Sequence, residues 1–221
     1  MADFPFDVVL FDLDGTLADT APDLAAALNH TLGALGREPV DPASVRHMVG
    51  QGVRALLRQG LERTGGSDEA LIERGLPLYI AYYQAHIADG SRPYEGVIAA
   101  MDELARRGVK LAVCTNKLEH LALAFIAAIG WQDRFAAIVG GDTAGRSKPD
   151  PAPVHLAIER SGGGRAAFVG DSTSDTGAAA AAGIPCVALS FGFNDRPVDQ
   201  LGGDALIDHF DMLVPTLERL G

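Results

Sequence analysis

From Gly96 to Leu220 short apolar runs alternate with helical periods, and this alternation constrains the fold of the 221-residue chain more than any other feature. Runs at Val109 to Cys114, Phe135 to Val139, Ala166 to Val169, Pro185 to Leu189 and Ala205 to Ile207 read as strands. Between them, Ala99, Leu104 and Ala105 share one helical face; Leu121, Phe125, Ile126 and Ile129 share the next, which Gly130 ends. Strands that are apolar throughout and separated by helices predict an α/β fold with a parallel sheet covered on both faces. Its ligand site should lie beyond the carboxyl ends of the strands. The run Phe6 to Phe11 supplies one more strand near the start of the chain.

The alternation stops between about Asp19 and Arg92. Leu24, Leu28, Leu32 and Leu35, then Val53, Leu56, Leu57 and Leu61, then Leu71, Leu76, Tyr79 and Tyr83 follow helical spacing, with no strand pattern among them. The division expected is therefore an α/β part, 1–18 with 93–221, and a helical insert, 19–92. Because the insert begins just after the first strand's end, it is placed to hang over that end as a lid; a bundle that only enlarges the core is the alternative.

Hydrophobic residues make up 48% of the chain and charged residues 21%, so it can bury a proper core. A formal net charge of −11 argues against a nucleic-acid partner and against anionic membranes, but leaves room for a small phosphorylated molecule held by a few local cations. Cys114 and Cys186, far apart in apolar runs, read as buried thiols of a reducing compartment. With no basic leader and no apolar stretch of 18 residues, the expectation is a cytoplasmic protein.

Each strand's carboxyl end then has to be read for chemistry. The first ends on Asp12-Leu13-Asp14-Gly15, which puts two acids on one face. Two carboxylates about 4 Å apart repel by about 4 kcal/mol at an effective dielectric near 20, so such a pair shares a proton or holds a cation. A solvated acidic turn is the alternative for this motif alone. The second strand ends on Thr115-Asn116, whose hydroxyl and amide can bind an anion's oxygens or cap a helix. Lys148 follows the third strand in a loop stiffened by Pro149, Pro151 and Pro153, and suits a fixed positive charge. Gly170-Asp171-Ser172-Thr173-Ser174-Asp175 follows the fourth; Asp175 could cap the next helix, whereas Asp171 has less structural excuse.

Asp12-Leu13-Asp14-Gly15-Thr16, Thr115, Lys148 with its prolines, and Gly170-Asp171-Ser172 with Asp175, in that order, resemble the haloacid dehalogenase superfamily of phosphotransferases over essentially the whole chain. The resemblance implies a Rossmann-like core, an α-helical cap inserted after the first motif and a Mg²⁺-dependent aspartyl-phosphate mechanism. In that scheme Asp12 is nucleophile and Asp14 the proton shuttle. The Asp12 and Asp171 side chains with the Asp14 carbonyl hold the metal, and Asp175 orients water bound to it. Thr115, Asn116 and Lys148 hold the transferring oxygens. The second acid disfavours carbon–halogen cleavage, and the absence of lysine before Lys110 removes an imine mechanism from the cap.

The stretches Gly15 to Leu24, Val49-Gly50-Gln51-Gly52-Val53 and Phe191-Gly192-Phe193-Asn194 further resemble phosphoglycolate phosphatases. On that reading the substrate is a small phosphorylated metabolite, 2-phosphoglycolate foremost. Backbone donors at Gly50 and Gly52, with Gln51 or Arg54, would meet its carboxylate; a helix-entry turn without a ligand is the alternative. Phosphatases of sugar phosphates or pyrophosphate, a β-phosphoglucomutase and a non-catalytic metal or phosphate sensor stay open.

Overall fold

The structure, a computed structural model, describes residues 4–221; the first three residues of the expected 1–18 segment lie outside the described residues. β1 (Val8–Phe11) leads through a tight turn to the short β2 (Ala18–Asp19). Helices α1 (Ala21–Ala34), α2 (Pro42–Val45), α3 (Val53–Arg63) and α4 (Glu69–Ala85) follow, and β3 (Arg92–Pro93) returns the chain. Then come α5 (Val97–Arg106), β4 (Lys110–Cys114), α6 (Glu119–Ala128), β5 (Ala137–Val139), α7 (Ala152–Arg160), β6 (Ala166–Gly170), α8 (Thr173–Ala182), β7 (Cys186–Leu189), β8 (Ala205–Ile207) and α9 (Leu213–Leu220).

Six of these strands form one parallel sheet in the order β5-β4-β1-β6-β7-β8. β1 sits in the middle because all four of its residues are apolar and it can be buried on both faces. Val9 and Phe11 pack into a cluster with Met101, Leu104, Phe125 and Leu213, while Val8 and Leu10 face a second cluster with Val154, Ala157 and Ala178. The strand order turns back at β1, between β4 and β6, which opens a crevice beyond its carboxyl end.

The helices of 19–92 build a third cluster from Leu28, Leu32, Leu57, Leu61, Tyr79 and Tyr83. Each fully buried leucine there contributes about 1.5–3 kcal/mol relative to exposure. Leu121 of α6 and Phe193 of the loop after β7 belong to the same cluster, so the helical layer packs onto the site's edge of the sheet.

The helical pattern predicted no strand within 19–92, and here the structure differs. Asp19 pairs with Arg92 and Ala18 with Pro93 in a two-residue antiparallel ribbon, too short to leave a period in the sequence. Buried Asp23 ties the ribbon's two crossings together: its carboxylate accepts from Gly90 N (2.7 Å), Ser91 N (2.8 Å) and Ser91 Oγ (2.5 Å). Both cysteines are free and buried; burial pushes both thiols up, that of Cys114 to about 12. Among the described residues no helix is long and apolar enough to cross a membrane.

Candidate active site

The sharp turn after β1 brings the first two acids to the crevice. Leu13 O accepts from the N–H groups of Thr16, Leu17 and Ala18, and Gly15 N donates to Ala18 O at 2.9 Å. Gly15 has φ +84°, and a Cβ there would stand 2.4 Å from Asp171 Oδ2, so only glycine lets the β1 turn approach the end of β6.

That approach gathers Asp12, Asp171 and Asp175, each offering an oxygen within 4.8 Å of the others. Asp171 Oδ1 accepts from Thr16 Oγ1 and Oδ2 from Phe193 N, both at 2.7 Å. Asp175 is saturated: Oδ1 accepts from Lys148 Nζ (2.6 Å), Oδ2 from Ser172 Oγ (2.7 Å) and from the N–H groups of Ser172 (3.0 Å) and Asp171 (3.2 Å). The Lys148 ammonium also donates to Cys114 O at 2.7 Å and stands 3.0 Å from Asp12 Oδ1. That oxygen is buried, and the Lys148 contact lacks hydrogen-bond geometry; among the described residues it has no hydrogen-bond partner.

Three ionised carboxylates against one ammonium leave two excess negative charges in a buried place. At an effective dielectric near 20 each pair of acids repels by roughly 3–4 kcal/mol. Burial pushes the Asp12 carboxyl up to about 6; Lys148 opposes this, and the charges of Asp175 and Asp14 add to it. Asp171 is held well above the carboxylate range, by burial first and then by Asp175 and Asp12. Lys148 is raised despite its burial, because Asp12 and Asp175 outweigh it. A hard, oxygen-seeking divalent cation fits this set: Asp12 has an oxygen to give, and the excess charge matches.

The model of the haloacid dehalogenase-like hydrolase family matches residues 9–189, which carry all these acids. The chain belongs to that family. It is 46% identical over 217 residues to a phosphoglycolate phosphatase of Mesorhizobium japonicum, covering 96% of each chain. It superposes with a TM-score of 0.88 on a predicted phosphoglycolate phosphatase of Haemophilus somnus, at 30% identity over 96% of this chain and 98% of that one. CbbY of Rhodobacter sphaeroides, solved in complex with phosphate, is similar with a TM-score of 0.79 and 26% identity, covering 94% of this chain and 96% of that one.

In this haloacid dehalogenase-like hydrolase a cavity opens beside Asp12 and Asp14. Thr115, Asn116, Gly50 and Gly52 line it, and the helical layer adds Leu24, Leu56, Tyr79 and Tyr83. Asp14 accepts from Thr20 Oγ1 (2.7 Å) and, through both oxygens, from Lys117 Nζ (2.6 and 2.8 Å).

Three expected roles meet a different geometry. Asn116, expected on phosphoryl oxygens, has its amide engaged elsewhere: Nδ2 donates to Gly50 O (2.9 Å) and Lys148 O (3.0 Å), and Oδ1 accepts from Lys148 N (2.9 Å). It braces the lysine loop against the helical layer. Arg54 turns away to α4, pairing with Glu69 and, at 2.9 Å, Glu73, with its side chain 42% exposed. Gln51 is exposed and is not part of the cavity wall, although Gly50 and Gly52 are. Gly52, at φ +82°, passes so close to Asn116 O that a Cβ would lie 3.2 Å from it.

Sequence reasoning missed Lys117, Tyr79, Tyr83 and Thr20. One signal was present: the chain has only three lysines, and one directly follows Thr115-Asn116. The tyrosines read only as core positions on a helical period, which they also are.

Proposed function

We propose that the chain is a magnesium-dependent phosphomonoesterase that hydrolyses 2-phosphoglycolate through a phosphorylated Asp12. The observation that carries this reading is Asp12 itself, a buried strand-end carboxylate that lines the cavity with Lys148 Nζ 3.0 Å from an oxygen lacking a hydrogen-bond partner among the described residues. The substrate rests on the similarity to phosphoglycolate phosphatases.

An Asp12 oxygen attacks phosphorus in line, forming the Asp12 O–P bond as the ester P–O bond breaks. Asp14 gives its proton to the departing alkoxide. It then takes a proton from the water that attacks phosphorus in the second step, which releases inorganic phosphate and restores Asp12. Thr115 and Lys148 hold the transferring oxygens, and Asp175 keeps Lys148 in place. Magnesium, held by the Asp12 and Asp171 carboxylates with the Asp14 carbonyl, would supply the positive charge that lets an anionic nucleophile approach an anionic phosphoryl group. Residues 1–18 and 93–221 make up the catalytic core in this reading, and 19–92 the cap that closes the cavity.

Phosphate release from a panel of small phosphomonoesters tests the proposal. With Mg²⁺, 2-phosphoglycolate should give the highest kcat/KM, excess EDTA should abolish turnover and added Mg²⁺ should restore it. Full activity in EDTA would remove the metal from the scheme; interconversion of sugar phosphates without phosphate release would replace the hydrolase by a mutase.

A further inference from the structure

The cavity's helical wall combines apolar side chains with two polar tips, and the loop after β4 adds a third; the mechanism above leaves all three unused. Tyr79 and Tyr83 lie four residues apart on α4, on one face, with ring centroids 5.9 Å apart. Both are 1% exposed and line the cavity, and among the described residues neither hydroxyl has a hydrogen-bond partner. Native proteins seldom leave two buried hydroxyls unpaired side by side without a reason. Lys117 completes the group: its Nζ lies 4.7 Å from the centre of the Tyr83 ring.

We propose that Tyr79, Tyr83 and Lys117 form the recognition site for the carboxylate of the phosphorylated acid, and that these residues, not Gln51 or Arg54, set substrate choice. This rests on the phosphatase reading above and gives it a chemical basis for selection. All three tips can donate. Burial raises both phenols well above their usual range, so they remain O–H donors, and an ammonium only donates. A donor-rich pocket suits a group that only accepts, which a carboxylate is. The Lys117 ammonium, which has no lone pair, can meet only an acceptor, and its positive charge adds to the preference for a carboxylate over a neutral hydroxyl.

The spacing also favours a short acid. Lys117 binds both oxygens of Asp14, so a carboxylate that meets Lys117 lies next to the proposed proton donor. In 2-phosphoglycolate a single methylene separates the carboxylate from the ester oxygen that must receive that proton. The apolar walls from Leu24, Leu56 and Leu121 keep water from competing for the donors.

Ethyl phosphate carries a methyl group where 2-phosphoglycolate carries its carboxylate, so the ratio of kcat/KM for the two esters measures the subsite. In the wild-type enzyme with Mg²⁺ the ratio should be at least about a hundredfold. Tyr79→Phe and Tyr83→Phe should each lower it about tenfold, mainly through KM for 2-phosphoglycolate, with the thermal midpoint reporting that each variant is folded. Glycolate should compete with ethyl phosphate in the wild-type enzyme, a measurement that needs no variant. A wild-type ratio near one with both esters turned over, an unchanged ratio in both folded variants, or no competition by glycolate would overturn the subsite and leave the phosphatase reading standing. Turnover of neither ester by the wild-type enzyme would overturn the phosphatase reading itself.

Discussion

The sheet side and the helical side of the site are built on opposite principles. On the sheet side, Asp12, Asp171, Asp175 and Lys148 crowd several charges into a buried space, and both oxygens of Asp171 and of Asp175 are engaged. On the helical side the wall is leucine and tyrosine, with two hydroxyls left over. Charge that is costly without a cation makes one half suited to chemistry; apolar surface with a few donors makes the other suited to choosing a substrate. Asn116 joins them, one end on the Lys148 backbone and the other on Gly50 of the helical layer.

The contrast breaks hardest at Asp12. Asp12→Asn should lower kcat for 2-phosphoglycolate by roughly 10⁵-fold while leaving the protein folded, since the amide keeps the shape and loses the nucleophile. Single-turnover phosphate release checks it, and a loss of tenfold or less would move the nucleophile elsewhere.

The same variant sharpens the comparison through stability. Asp12 has a folded value raised from 3.8 to about 6, so between those values the folded state holds the extra proton. Its contribution is fully present below 3.8 and is lost as pH rises through about 6. In the presence of a chelator, urea unfolding should therefore show Asp12→Asn more stable than wild type at pH 7.5, with the gap closing toward pH 4. Mg²⁺ should stabilise the wild type increasingly as pH rises through the same window, because the cation displaces the proton. A gap independent of pH would show that Asp12 is not under this strain.

The smallest effect is expected on the outside of the helical half. Arg54→Ala, which removes exposed pairs to Glu69 and Glu73, should change KM for 2-phosphoglycolate by no more than about twofold. A tenfold rise in KM would bring Arg54 into the cavity and undo the division of labour described here.

Much of the sheet side was legible in the sequence. Apolar runs end at Phe11, Cys114 and Val169, and a parallel sheet places whatever follows them at one edge, so Asp12, Thr115 and Asp171 could be named without coordinates. Lys148 was legible for the same reason, through its loop after β5. The helical side was not. A 3.6-residue period identified Tyr79 and Tyr83 as inward-facing, but an inward face looks the same whether it meets leucines or a cavity. Arg54, one residue after Val53 on α3, looked available to a ligand because the acids of α4 that capture it lie fifteen and nineteen residues away.

The amino-acid sequence by itself determined the sheet, its working edge and the acids on it, because strand periodicity and strand ends are local properties of the chain. Only the tertiary structure decided that Asn116 braces a loop, that Arg54 serves the surface, and that Lys117 meets Asp14 across 103 positions of sequence. Those outcomes depend on which side-chain tips meet after folding, and hydrogen-bond partners a few ångströms apart in space leave no period along the chain.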